Sequence, residues 1–455
     1  MKKVLLSAAM CVLACGCKVS YDYAGEQAAS EWSQWKGKEI NFKVAAKSTP
    51  EKNEAKVRRF LQCVEQFAPY ILKEFQAMDK SMNWKPGTAA KLSSLGVDYK
   101  TTPPPHECTS WLVMPELTSK GEIILHKNRD SSSRYLTCIR VSVPGKYSWI
   151  GNGNFGSFGT TSGINERALA VVMNSGTRSH GVSPDGMGTI IIERILLEQC
   201  ANAREAVELL EKIVKAGAYS HGPSGSTWFF ADRKQAFLVE HDNICFKAIE
   251  VKSGLAVRAN AWHLPETIVY SKNNPSQIVG NSRREYAVRN ALVNGILAKK
   301  KKITLTDVLK TSRINKFPEA PKCYALCDKE TNAATSFVID PEFPEELSYM
   351  VSTFGPPRHG FYIPVPMTLK KVPHILSSGS WSNALFLRKE AKKDPDMKKL
   401  ESVEAQMLKN HLAAVAEARK ILEKGGFSAK EKAALLLEKS FEANMKLAQE
   451  YSPAL

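Results

Sequence analysis

The chain has 455 residues, 43% hydrophobic and 24% charged, which is enough to bury a core as one large domain or two medium ones and excludes a disordered chain or a mini-protein held by metal or dense disulfides. Lysine and arginine outnumber acids 63 to 46, a formal net charge of +17. That sign suits an anionic membrane surface, polyanionic cell-wall material or nucleic acid. The lysines, however, are spread along helical stretches such as residues 392–432, and no Arg-rich or aromatic-interleaved motif occurs, so no nucleic-acid partner is expected.

Residues 1–17 combine Lys2 and Lys3, an apolar run over 4–13 and the small residues Ala14 and Gly16, and read as an export signal too short to remain as a membrane span. Val12-Leu13-Ala14-Cys15 resembles a bacterial lipobox, with Ala14-Cys15-Gly16-Cys17 as a competing site. The expectation is an exported periplasmic or cell-envelope protein, anchored by a lipid on Cys15 or Cys17; simple secretion is the alternative. Seven cysteines follow: Cys63, Cys108, Cys138, Cys200, Cys245, Cys323 and Cys327. The number is odd, so three disulfides would leave one thiol over. Cys323 and Cys327 have metal-like spacing but no second Cys or His pair, so neither a metal nor a cofactor is expected.

Over residues 18–107 the pattern is that of a helical prosegment and linker. Val57, Phe60, Leu61, Val64, Phe67, Ile71, Leu72 and Phe75 recur at helical spacing across residues 52–80, with Pro69 predicting a kink or a break into two helices. The segment ends in Thr101-Thr102-Pro103-Pro104-Pro105-His106-Glu107, which proline holds extended. From Cys108 the texture changes to short apolar runs at 110–114, 122–126, 136–143, 168–173, 227–231 and 236–239, read as strands. Residues 189–215 predict two helices hinged near Ala201-Asn202, so sheet layers covered by helices are expected. The glycines from Gly151 to Gly156 read as a loop bordering the site. A C-terminal extension over 371–455 closes in a helical hairpin: Asp394-Pro395 opens its first helix, Gly425-Gly426 ends it, and Ser428 with Glu431 forms a capping box for the next.

The most informative stretch is Cys108-Thr109-Ser110-Trp111-Leu112-Val113 followed by Gly121 and then His126-Lys127-Asn128-Arg129-Asp130. It reads as a hairpin whose second strand returns Asp130 toward the cysteine. A cysteine at a chain's first position supplies its own base, because an α-amine titrates near about 8 and lies within reach of the thiol. A carboxylate such as Asp130 would orient that amine and stabilise its cationic form. Inside a peptide bond the amine does not exist, so activation requires a cut between Glu107 and Cys108.

This hairpin resembles the cysteine branch of the N-terminal-nucleophile (Ntn) hydrolases, which includes choloylglycine hydrolases, penicillin V acylases, acid ceramidase-like amidases and isopenicillin N acyltransferase-like proteins. Cys108-Thr109-Ser110 and Asn128-Arg129-Asp130 carry the likeness; Lys127 departs from it, standing where many members have an arginine and supplying charge without the bidentate fork. The resemblance implies an α+β fold, a four-layer αββα sandwich from Cys108 to about residue 370. It also implies oxyanion-site asparagines at strand ends, matched by Asn174 and Asn260, and a site arginine in Asn281-Ser282-Arg283-Arg284, where Arg283 is the better match. Glu240 reads as a structural carboxylate, and His263 as a pocket or core histidine.

Rival motifs are weaker. Gly151-x-Gly153-x-x-Gly156 lacks a helix to receive a pyrophosphate, and in His221-Gly222-Pro223-Ser224-Gly225-Ser226 a serine stands where a nucleophile elbow needs its second glycine. The expected activity is a self-processed cysteine amidohydrolase or acyltransferase on the amide bond of N-acylated small molecules, working through a thioester. Two alternatives stand beside it: a dipeptidase of the related cysteine family, and a non-catalytic envelope-binding lipoprotein. Acyl group, leaving amine and oligomeric state are left open.

Overall fold

A computed structural model of the chain describes residues 50–451 apart from 96–107, 132, 155–156, 182–184, 223, 301, 317–324, 329 and 392–394. The leader with Cys15 and Cys17, the proline-rich linker through Glu107, Cys323 and Asp394 lie outside the described residues.

Two antiparallel sheets form the centre. One has six strands: β1 Thr109–Val113, β2 Ile123–Asp130, and the later strands β10 Leu255–Arg258, β11 Thr331–Ile339, β12 Tyr349–Ser352 and β13 Ile363–Pro366, in the order β10-β1-β2-β11-β12-β13. The other has seven: β3 Leu136–Val141, β4 Trp149–Asn154, β5 Ser162–Asn165, β6 Ala170–Arg178, β7 Ser224–Ala231, β8 Ala236–His241 and β9 Phe246–Glu250, in the order β9-β8-β7-β6-β5-β4-β3. Side chains alternate along a strand, and here both faces of both sheets are apolar. In β1, Leu112 joins the core between the sheets while Trp111 and Val113 join the core under the helices of the first sheet. In β7, Phe229 and Ala231 face the other sheet, while Trp228 and Phe230 face helices. Three apolar layers therefore separate four structural layers, helix, sheet, sheet and helix: the expected αββα sandwich.

The helices of the second sheet's outer face are α4 Thr189–Gln199 and α5 Ala203–Lys215, broken as expected at Asn202, whose side chain caps α5 by accepting from the Glu205 N–H at 3.0 Å. Against them pack α1 Pro50–Phe67, α2 Pro69–Ser81 and α3 Thr88–Leu95, the helices of the sequence-predicted prosegment. Pro69 divides α1 from α2 by taking the first helical position, where its missing N–H costs nothing. Phe60, Val64, Ile71, Phe75 and Met78 belong to the same buried cluster as Ile192, Leu196 and Leu210. Arg194, wholly buried on α4, donates to Glu74 of α2 at 2.6 Å, to Glu198 at 2.8 Å and to the Phe158 carbonyl at 3.0 Å. On the first sheet lie α6 Pro275–Arg289, which continues into the π-helical turns Asn290–Leu297, and α7 Leu305–Thr311. After α8 Ser380–Glu390, the hairpin of α9 Met397–Lys424 and α10 Ala429–Glu450 inserts Leu400, Val403, Met407, Phe441 and Met445 into the core between the sheets.

Three local expectations are corrected. The glycine-rich stretch at 151 is not a loop but the inner strand β4. Its glycines are packing requirements, since a Cβ on Gly153 would lie 2.1 Å from Ile139 Cδ1 and one on Gly151 would lie 2.4 Å from the Ser162 carbonyl oxygen. The hairpin's first helix is capped by Asp396, whose carboxylate accepts from the Lys398 N–H at 3.0 Å and the Lys399 N–H at 3.2 Å. Ser428 sits in left-handed backbone, φ 66°, and its side chain makes no capping hydrogen bond, so the capping box does not form. The described cysteines, Cys63, Cys108, Cys138, Cys200, Cys245 and Cys327, are all free thiols.

Because Arg194 is buried, removing Glu74 leaves its Nη2 without an acceptor, since Glu198 and the Phe158 carbonyl are bonded by Nε and Nη1. Glu74→Ala is expected to lower unfolding free energy by about 3 kcal/mol, with Glu74→Gln costing less because it still accepts a hydrogen bond; denaturant unfolding measures both.

Candidate active site

Cys108 precedes β1, the strand between β10 and β2, and is 6% exposed. Its backbone nitrogen donates to Asn260 Oδ1 at 2.8 Å. Asn260 stands just past β10, where the ladder partner of β1 ends, so antiparallel pairing brings the two strand ends together across 152 residues of sequence. The Asn260 amide is fixed on its other side by donating to the Ser175 carbonyl at 2.7 Å, beyond the point where β6 presents Asn174.

The arginine at this place is Arg284. Its guanidinium donates to the Cys108 carbonyl at 3.3 Å, to Thr109 Oγ1 at 3.4 Å, to Asn260 Oδ1 at 3.1 Å and to Asn281 Oδ1, and lies 3.9 Å from Asp130 Oδ2. Arg283, the sequence-predicted residue, is exposed on α6; one step of about 100° around a helix separates an outward from an inward side chain. The correction was within reach of the sequence: Asn281, Arg284, Glu285 and Val288 share one face at 3.6 spacing, and Val288 marks that face as the inner one. Asn281 and Glu285 were missed in the same way. Asn281 accepts from the Asn260 N–H at 3.2 Å and donates to its carbonyl at 3.0 Å, while Glu285 accepts from the Ala259 N–H at 2.9 Å and pairs with His263 at 3.0 Å.

Asp130, at the end of β2, accepts from the Thr331 hydroxyl at 2.6 Å and faces Arg284. Asn174 has other bonds than those expected of an oxyanion donor. Fully buried between the sheets, it accepts from Ser110 Oγ at 2.8 Å and donates to the Arg258 carbonyl at 3.0 Å, stapling β6 to β1 and β10. The alternation that turns Ala170 and Val172 toward the first sheet turns Asn174 the same way. Glu240 is a structural acceptor for Arg258 Nε at 2.8 Å, the His263 and Leu264 N–H groups at 3.0 Å and the Thr267 hydroxyl at 2.6 Å, and so holds the chain that follows Asn260.

Lys127 is buried in β2, opposite Ser110, and its ammonium donates to the Thr161 carbonyl at 2.9 Å and to the Met173 carbonyl. Burial lowers its pKa, with the thiol of Cys108 and the carboxyl of Glu193 acting to raise it. Arg129 is lowered for the same reason, with the same two groups and Asp130 opposing. Glu193, fully buried on α4, is pushed up to about 8 by desolvation, against Lys127 and Arg129, which pull it down. A lysine in place of an arginine makes one cation compact enough to be bonded wholly by two carbonyls between the sheets.

Glu193 generates a pH prediction. Its folded pKa lies above the ordinary 4.5, so the folded state holds a proton that the unfolded state loses between 4.5 and about 8. Stability is then full below the lower value and falls as pH rises through the upper one, by at most about 1.4 kcal/mol per unit. Glu193→Gln is expected to flatten that fall, measured by denaturant midpoints across the range.

Residues 117–269 match the family described as acyl-coenzyme A:6-aminopenicillanic acid acyl-transferase. None of the curated proteins matches the chain in sequence. Among solved structures, a variant of the conjugated bile acid hydrolase from Clostridium perfringens is similar at 12% identity and a TM-score of 0.40, over 58% of this chain and 94% of that one. Penicillin V acylase from Agrobacterium tumefaciens is similar at 15% identity and a TM-score of 0.37, over 56% of this chain and 86% of that one. The N-acylethanolamine-hydrolyzing acid amidase ortholog of Caenorhabditis elegans is similar at 15% identity and a TM-score of 0.32, over 52% and 94%. The stretch that matches this family model contains Asp130, Asn174 and Asn260 and stops short of Cys108 on one side and Arg284 on the other.

Proposed function

We propose that this protein is a cysteine amidohydrolase or acyltransferase acting on N-acylated small molecules, and that it activates itself by cutting between Glu107 and Cys108. The observation that carries the proposal is the 2.8 Å bond from the Cys108 nitrogen to Asn260, because the nitrogen that must become the catalytic base is held where the thiol begins. In the cut, the Cys108 thiol attacks the Glu107 carbonyl, the acyl group passes from nitrogen to sulfur and frees the Cys108 amine, and water then hydrolyses the thioester to the Glu107 carboxylate and the Cys108 thiol. In turnover that amine, with an ordinary pKa of about 8, takes the thiol proton. The thiolate attacks the substrate's amide carbonyl, the Asn260 amide supports the oxyanion, and the ammonium protonates the leaving nitrogen. Water or a second amine then resolves the thioester.

Arg284 and Asp130 are assigned to positioning: the arginine holds the Cys108 carbonyl, and the aspartate offsets its charge and that of the ammonium. Asn174 is assigned to the staple between the sheets rather than to the oxyanion. The protein is further read as exported and lipid-anchored at Cys15 or Cys17.

Intact-mass analysis tests the core of the proposal. The purified protein is expected to contain a fragment beginning at Cys108 that is absent from Cys108→Ala; a single uncut chain in the wild type would overturn it. Release of amine from N-acyl amides, against cleavage of dipeptides, separates this activity from the dipeptidase alternative. Arg284→Met is expected to slow processing about a hundredfold, whereas Arg283→Met, one residue away on the exposed face, changes it by less than about twofold.

A further inference from the structure

The helix that brings Asn281 and Arg284 to Cys108 has a second face. Asn281, Arg284, Glu285, Val288 and Leu292 occupy its buried arc. On an exposed flank about 100° round from it lie Ile278, Ser282, Tyr286, Arg289 and Val293, spaced four, four, three and four residues apart, with Val279 beside them. Ile278, Val279, Tyr286 and Val293 are exposed, Tyr286 at 57%. The single turn Pro265–Ile268 that precedes this helix ends in two more exposed apolar side chains, Ile268 and, following it, Val269 at 71%. Twelve large apolar side chains are exposed among the described residues, and six of them fall between 268 and 293, so they are concentrated rather than scattered.

Within residues 265–302 the exposed charge is basic apart from Glu266, and Glu116, from the turn after β1, lies beside Lys302, whose ammonium donates to its carbonyl. Lys272, Arg283, Arg289, Lys299 and Lys302 are exposed, while the two acids between residues 265 and 302 are Glu266, paired with Lys247 at 2.5 Å, and Glu285, buried against the site. This combination selects the partner. The centres of protein interfaces are depleted in lysine, and a nucleic acid offers phosphate but little for a row of branched aliphatic side chains. An anionic bilayer accepts both at once, aliphatic groups at the boundary of headgroups and acyl chains and cations among the phosphates.

We propose that the outer face of α6, with the π-helical turns after it and the turn before it, docks on the surface of an anionic lipid bilayer. No helix among the described residues is long and apolar enough to cross a membrane, so the contact is peripheral. It places one wall of the Cys108 site at the lipid surface, from which an acylated substrate enters. The docking itself does not depend on the chemistry proposed for Cys108.

The test is co-sedimentation of the mature-length protein carrying Cys15→Ser and Cys17→Ser, which removes any N-terminal lipid, with vesicles of phosphatidylcholine alone or mixed equally with phosphatidylglycerol. Binding is expected to the mixed vesicles, to weaken with salt, and to fall about tenfold in Val269→Glu with Val279→Glu, whose thermal unfolding stays at the wild-type temperature. Equal binding by that variant, or no binding to the mixed vesicles, would overturn the proposal. Cys108→Ala is expected to bind as the parent does, so failure of the enzymatic reading and failure of this one are told apart.

Discussion

A guanidinium buried to 1% exposure has to be surrounded by acceptors, and in this protein Arg284 draws them from separate parts of the chain. The Cys108 carbonyl and Thr109 come from the start of β1, Asn260 from beyond β10 and Asn281 from the same helix, while Asp130, at the end of β2, supplies a counter-charge 3.9 Å away. Burying such a charge is unfavourable unless its hydrogen bonds are satisfied, so these elements cannot be placed independently. Once Arg284 is in, the start of β1, the end of β2 and the chain after β10 are fixed relative to one another. The site is therefore a by-product of one solvation requirement.

A second constraint acts between the sheets. The space between them is mostly aliphatic and aromatic, yet near Cys108 it receives Ser110, Lys127 and Asn174, each bonded across or along the sheets. Polar groups in such a layer hold a register more strictly than apolar ones, since a slip of one residue would strand each of them without a partner. Lys127 suits that place because its compact ammonium reaches the Thr161 and Met173 carbonyls, whereas an arginine's planar fork would need a differently shaped acceptor set.

Much of this was legible in the sequence where period and local chemistry agree. The helices on either side of Pro69, the break at Asn202 and the strands β1, β2, β3, β6, β7 and β8 follow from spacing, whereas β5 and β9 to β13 do not. The reading failed where tertiary packing chose the residue. β4 is rich in glycine and asparagine because its neighbours leave no room for a Cβ, a fact visible only with Ile139 and Ser162 in place. Arg283 and Arg284 are identical in type and differ only by the rotation of the helix, which Val288 could have disclosed. Asn281 carries no signal by itself; only its bonds to both sides of the Asn260 peptide reveal it.

The docking of α1 and α2 bears on timing. Glu74 meets Arg194 across 120 residues and Cys108 meets Asn260 across 152, so the helices made first wait, with Phe60 and Phe75 uncovered, for partners made much later. On the proposed self-cleavage, the bond before Cys108 becomes reactive only when β10 and α6 have closed around it. On that proposal, scission would certify completed folding and would cut the tether only when it is no longer needed to keep the two pieces at high local concentration.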